Sequence, residues 1–246
     1  MKIRVKFGKE GALCYIGHLD VLRTFQKIFR RAEIPMAYSK GFSPHPIMSF
    51  ALPLGLGLSS EGEYLDAELD LESGQSSLFP PEHAAPFEAI KGLRRELMER
   101  LVRATSVELP VYDLRFLPEK SENAMASVGR ALYGLNLNQT WTAPLEQAGK
   151  SLLERESIPV EKKTKTRSLE MDLRPCIHRM SFHQNRLILE LSAGSRANVK
   201  PEAVWELLLW EANLPENLSP LSIRRLDLMT ESGLSLGEVG EEVPYV

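Results

Sequence analysis

"RRAEIPMAYSK", Arg30–Lys40, and "ERESIPVEKKTK", Glu154–Lys165, decide how this chain is read. Each follows a segment whose apolar residues fall at helical spacing. Each then places Ile-Pro just after the helix and continues into basic residues. A unit that returns once, after roughly 120 residues, is a duplicated domain and not a solenoid.

Working outward from the first echo, "KIRVKF" (Lys2–Phe7) alternates with period two. Ile3, Val5 and Phe7 take one face and Lys2, Arg4 and Lys6 the other, the pattern of a half-buried strand. A helix is predicted over about 18–33, with Leu22, Phe25, Phe29 and Ala32 as its buried stripe and Pro35 as its stop. "IMSFALPL" and "EYLDAELDL" read as strands, "PFEAIKGLRRELMERLV" as a helix, and "LPVYDLRFLP" as a strand. Around the second echo the order repeats. "ASVGRALYGLNL" is a strand and "APLEQAGKSLLERES" a helix. "SLEMDLRPCIHRMSF" and "RLILELSA" are two strands turning at His183–Asn185. "KPEAVWELLLWEANL" is a helix and "SIRRLDLMT" a closing strand. The predicted fold class is α+β: two tandem ferredoxin-like (βαββαβ) halves with antiparallel sheets. The halves span 1–120 and 121–230, with a boundary near 118–124. The Gly- and Glu-rich 231–246 is expected to be a mobile tail.

Across 246 residues, 43% hydrophobic and 26% charged content are globular values. A net charge of −3 makes no global case for nucleic acid, so any such case is local. Cys14 and Cys176 form no CxxC pair and cannot hold an iron–sulfur cluster alone. No apolar run approaches about 18 residues, and the N-terminus alternates in polarity. A soluble cytoplasmic protein without membrane contact is expected.

Three local features carry chemistry. His18 and Asp20 of "GHLD" open the first helix, where unpaired N–H groups favour an anion. Asp20 complementing the helix dipole is the simpler alternative. Arg23, Lys27 and Arg30 share one helix face, with Arg31 beside them, and fit either a phosphate track or a solvated surface. In "AYSKGFSPHP", Pro44 and Pro46 hold Ser43 and His45 extended and Gly41 is free to take positive φ. Tyr38, Ser39, Lys40, Phe42 and His45 would then present a stiff surface suited to stacking. The alternative is that Tyr38 and Phe42 cap the core edge. The second echo supplies Lys162, Lys163, Lys165 and Arg167, which would flank a shared cleft if the halves pack with pseudo-twofold symmetry. The sheet face is a poor nucleic-acid platform, because Lys2, Arg4 and Lys6 would oppose Asp66, Glu68 and Asp70. Cys14, His18, Cys176 and His178 have no zinc-pair spacing, and no metal site is expected.

The stretch Gly17–Gly57 resembles the signature of the radical-SAM-linked family, a domain of unknown function. The likeness lies in His18, Leu19 and Asp20, in Arg23, and in Tyr38, Ser39, Gly41, Phe42, Pro44 and Pro46. Gly17 stands where that family has Ser. Asp172, Arg174 and Pro175 match its Asp-x-Arg-Pro motif. The resemblance implies the stand-alone form of a domain also found fused behind B12-binding-type radical SAM proteins. The partner in trans would carry the iron–sulfur cluster and S-adenosylmethionine, and this chain would bind no cofactor. The expected function is a non-catalytic accessory module that binds substrate, with RNA as the candidate. His18, Asp20, Arg23, Lys27, Tyr38, Ser39, Lys40, Gly41, Phe42, His45, Lys162, Lys163, Lys165 and Arg174 would form its ligand and anion site. Two alternatives stand beside it. One is a metal-independent endonuclease like those that process CRISPR RNA, with His18 as general base, an analogy at fold level only. The other is a protein–protein adaptor.

Overall fold

The computed structural model describes residues 1–70, 86–163 and 168–241. Its strands are β1 (Lys2–Lys9), β2 (Met48–Phe50), β3 (Ser59–Glu68), β4 (Val111–Leu117), β5 (Arg130–Asn136), β6 (Pro159–Lys163), β7 (Ser168–Asp172), β8 (Ile177–His183), β9 (Arg186–Ser192) and β10 (Ser222–Met229). Its α-helices among these residues are α1 (His18–Arg31), α2 (Pro86–Ala104), α3 (Ala124–Ser127), α4 (Gln139–Glu154) and α5 (Pro201–Glu211). The chain is α+β, with a mostly antiparallel sheet. The expected pair of sheets is one sheet of eight strands in the order β4-β1-β3-β10-β5-β9-β8, with β2 on the upper part of β3. β6 and β7 form a separate hairpin.

β3 and β10 meet in a short parallel contact, Arg224 on Ser59 and Arg225 on Ser60. Two features make it possible. Gly62 lets the strands cross closely: a Cβ there would lie 2.4 Å from Asp227 Cα and from the Leu226 carbonyl oxygen. Arg225, 1% exposed, donates from Nε to Glu63 Oε1 at 2.7 Å, from Nη2 to Glu63 Oε2, and to the Leu52 carbonyl at 2.6 Å. Burial opposes the guanidinium charge, but the Glu63 carboxylate and the Tyr133 hydroxyl more than offset it and raise its pKa above the usual value.

One apolar core lies against α1 and α2, built on Ile3, Val5, Phe25, Phe29, Leu65 and Leu97. The other lies against α4 and α5, built on Leu135, Leu145, Leu152, Leu189, Val204 and Leu208. β1 is buried on both faces, not half-buried, because the 118–128 segment and the chain after β10 cover its charged side. Arg4 is 1% exposed and pairs through Nε with Asp66 Oδ1 at 2.7 Å, and Asp66 Oδ2 accepts from the Ala124 amide at 2.6 Å. Beyond β10, Leu236 is fully buried and Glu241 pairs with Phe116 through backbone hydrogen bonds.

Local chemistry moved several boundaries. Asn123 caps the Ala126 amide at 2.9 Å, so the segment read as a strand from Ala126 begins as a helical turn. The strand expected over Ser168–Phe182 is cut after Asp172, where Pro175 sits in a 3₁₀ turn (Arg174–Cys176).

Candidate functional site

Between β2 and the end of α1 the chain makes a projecting hairpin. Its base is held to the sheet: Met36 bridges Leu69, the Ala37 amide donates to the Glu68 carbonyl, and the Glu68 amide donates to Ile47. Tyr38 bridges Pro46 across the hairpin, and the Ser39 amide donates to the His45 carbonyl at 2.9 Å. Ser39 Oγ accepts from the His45 amide at 3.1 Å and pairs with His45 Nδ1 at 2.9 Å. Gly41 turns the tip at φ +130, a conformation other residues avoid. Within this frame Tyr38 is 58% exposed and Phe42 112% exposed. Neither caps the core. Lys40 is exposed between them.

Arg23, Lys27, Arg30 and Arg31 are all exposed on α1, opposite Val21, Phe25, Ile28 and Phe29. Arg23 reaches Asp20 at 3.4 Å, one turn away, an exposed pair worth little. Arg30 and Arg31 lie in the last turn, where the helix dipole favours cations.

His18 stands apart from the hairpin. Its ring packs edge-on against Phe50 at 5.2 Å. The hairpin leaves the sheet at Leu69, beside the amino group of Met1 and past the other end of α1. A helix of 14 residues separates them, about 20 Å. Beneath His18 the Lys9 ammonium is buried and donates to the Ile16 carbonyl at 2.9 Å and the Cys14 carbonyl at 3.4 Å. Burial holds its pKa below the usual lysine value. The cavity among Phe7, Lys9, His18, Phe50 and Glu63 has only about 20 Å³, room for about one water.

In the second half Lys162 and Lys163 lie on β6, while Lys165 and Arg167 lie outside the described residues. Arg174 donates from Nε to the Leu153 carbonyl at 3.2 Å, at the carboxyl end of α4. Asp172 accepts from the Ile158 amide at 2.7 Å and the Arg174 amide at 2.9 Å, and these bonds pull its carboxyl below the usual range. The Asp-Leu-Arg-Pro run therefore closes the β6–β7 hairpin onto α4. Cys14 and Cys176 are both buried free thiols. Among the described residues no group of three His, Cys, Asp or Glu could hold a metal ion, and no helix is long and apolar enough to cross a membrane.

One feature gave no signal in the sequence. At the foot of the hairpin is a recess of about 220 Å³ with a mixed lining, where Ile47, Met48, Ala67 and Leu117 lie beside Lys2, Ser49, Asp66, Glu68, Ser121 and Asn123. Ser121 and Asn123 sit in the segment read as the boundary between halves, where composition shows only loop character.

Comparison of the chain with curated proteins gives no match. A family model matches residues 2–80 and 88–201, and the chain belongs to that family, described as an uncharacterized protein conserved in bacteria (DUF2344).

Proposed function

We propose that this chain is a non-catalytic module that presents RNA to a separate radical SAM enzyme, gripping it through the hairpin of Tyr38, Lys40 and Phe42. The carrying observation is Phe42, a wholly exposed aromatic at the tip of a hairpin whose backbone is pinned on both sides. Leaving a phenylalanine in water gains the fold nothing. A pinned hairpin instead offers a ring with little ordering entropy left to lose on binding. Lys40 beside it suits a phosphate, and aromatic rings next to cations are how single-stranded nucleic acid is held without sequence preference. The exposed cations of α1 extend the positive surface. The radical SAM partner rests on the sequence resemblance.

Each half has the strand adjacency of a ferredoxin-like unit, β4-β1-β3-β2 and β10-β5-β9-β8, which supports reading the fold as a tandem duplication fused through β3 and β10. The endonuclease alternative draws less support, because His18 and the aromatic hairpin lie at opposite ends of α1. The test is filter binding of structured RNA to the full chain at two salt concentrations. Binding at low salt that weakens as salt rises is expected, and no binding at low salt overturns the RNA reading. Co-purification with a co-expressed radical SAM protein tests the partner separately.

A further inference from the structure

The recess at the hairpin's foot has a wall chemistry that the sheet does not need. Cross-strand pairing puts Lys2, Glu68, Asp66 and Ser49 on one face of the sheet, since Lys2 opposes Glu68 and Ser49 opposes Asp66. The 118–123 segment roofs this face, tied down by Lys2 Nζ donating to the Glu119 carbonyl at 2.8 Å. Asp66 is occupied by Arg4 and the Ala124 amide. Other wall groups keep open hydrogen-bonding capacity. Ser121 Oγ is buried and makes no hydrogen bond among the described residues. Asn123 uses its Oδ1 to cap Ala126, which leaves its amide donors. No ion pair engages the Glu68 carboxylate among the described residues. A buried hydroxyl without a partner costs free energy, while the half-buried Glu68 carboxylate and the exposed Asn123 amide are the groups open to a ligand.

The size of the recess narrows the occupant. About 220 Å³ is many times the roughly 30 Å³ share of a water and below the range of about 300–1,000 Å³ that encloses a drug-sized ligand. It suits one planar ring system. The wall sets a carboxylate acceptor beside amide and ammonium donors, with a hydroxyl able to do either. That set matches a ring bearing adjacent N–H donors and a carbonyl acceptor. Ile47, Met48 and Ser49, where the return arm of the aromatic hairpin runs into β2, line the recess. A strand held on Tyr38 and Phe42 would therefore have one nucleotide within reach of the recess.

We propose that this recess receives a single splayed-out nucleobase and reads its edge, with guanine the best match. Glu68 accepts from guanine N1–H and the 2-amino group, and Asn123 with Lys2 donates to O6. Flipped or single-stranded bases are read in this way by enzymes and binding modules that act on them. The sheet face remains a poor stacking platform, since the recess reads an edge and carries no aromatic. The assignment rests on the nucleic-acid reading of the hairpin.

Two single-stranded RNA oligonucleotides, identical except for one guanosine replaced by inosine, separate the two. Inosine keeps O6 and N1–H and lacks the 2-amino group. The full chain is expected to bind the guanosine strand about 5- to 150-fold more tightly, the range for one good base-edge contact. Glu68→Gln should erase most of this preference, because the amide turns a donor toward the 2-amino group, and should also weaken the inosine strand, whose N1–H loses its carboxylate acceptor. Equal affinity of the wild type for both strands, or a preference untouched by Glu68→Gln, overturns the recess assignment. The hairpin reading survives that result if Phe42→Ala weakens both strands alike. No binding of either strand at low salt overturns both.

Discussion

Removing the Glu63 carboxylate should unfasten the two halves. Arg225 sits on β10 with 1% exposure and has both oxygens of Glu63 on β3 as its anionic partner. Ser60 Oγ holds the same carboxylate at 2.6 Å. Glu63→Ala leaves a buried guanidinium with only the Leu52 carbonyl and Tyr133 hydroxyl as partners. Breaking a buried pair from one side costs about 3–5 kcal/mol. Set against a total stability of about 5–15 kcal/mol, that is a large fraction. With a urea slope near about 3 kcal/mol per molar, the unfolding midpoint should fall by about 1–1.7 M. The control is Glu63→Leu with Arg225→Met, which removes both charges and should recover most of the loss, since apolar replacement of a buried pair is often neutral. The assay is urea unfolding followed by far-UV circular dichroism. A loss under about 1 kcal/mol for the single variant, or no recovery in the double, would refute the reasoning that this pair holds the seam.

Gly62→Ala should also open the seam, because its Cβ would fall 2.4 Å from backbone atoms of β10 that cannot swing away. A loss of at least about 3 kcal/mol in the same urea experiment is expected, at the upper end of overpacking costs. Asp172, whose carboxyl is pulled below its ordinary 3.8 by the Ile158 and Arg174 amides, stabilises the β6–β7 hairpin only while ionised. The unfolded state takes up its proton first on acidification, so this contribution is present above 3.8 and is lost as pH falls through the lower folded value. Hydrogen exchange at the Ile158 amide should stay slow through the ordinary carboxylate range and quicken only below it, and Asp172→Asn should quicken it at neutral pH. Ser39→Ala removes two hydrogen bonds that close the hairpin. About 1 kcal/mol of preorganisation should appear as roughly fivefold weaker RNA binding, with an unchanged melting temperature.

Most strands and helices of the main sheet were legible because each of those segments has one dominant period, but the short helix α3 and the separate β6–β7 hairpin were not. Ile3, Val5 and Phe7 line the core face of β1, and Phe25, Phe29 and Ala32 the core face of α1, as their spacing demands. Of the cations and carboxylates expected to oppose one another, Lys2 meets Glu68 and Arg4 meets Asp66, whereas Lys6 meets Tyr64 and Asp70 lies beyond β3. What the spacing could not show was closure across distance. Arg225 looks like any solvated strand arginine until Glu63, far away in sequence, is placed beside it. The joining of two sheets through Ser59 and Ser60 leaves no trace in either half. The presentation of Tyr38 and Phe42 was readable from Pro44, Pro46 and Gly41, which left core capping as the alternative, and both rings are exposed. His18 and the hairpin are neighbours in one motif, yet the length of α1 sets them apart. The recess left no sequence signal because it is built from residues of β1, β2, β3 and the end of β4 and from a linker that carries no motif.

The central claim is that the hairpin tip is a binding surface and not part of the fold. RNA binding by Phe42→Ala, measured beside its melting temperature, tests it most directly. With Phe42 at 112% exposure, the melting temperature should not move. Loss of one base–aromatic stack, worth about 1–3 kcal/mol, should weaken binding by about 5- to 150-fold. Unchanged affinity, or a fall in melting temperature that accounts for the loss, would contradict the account.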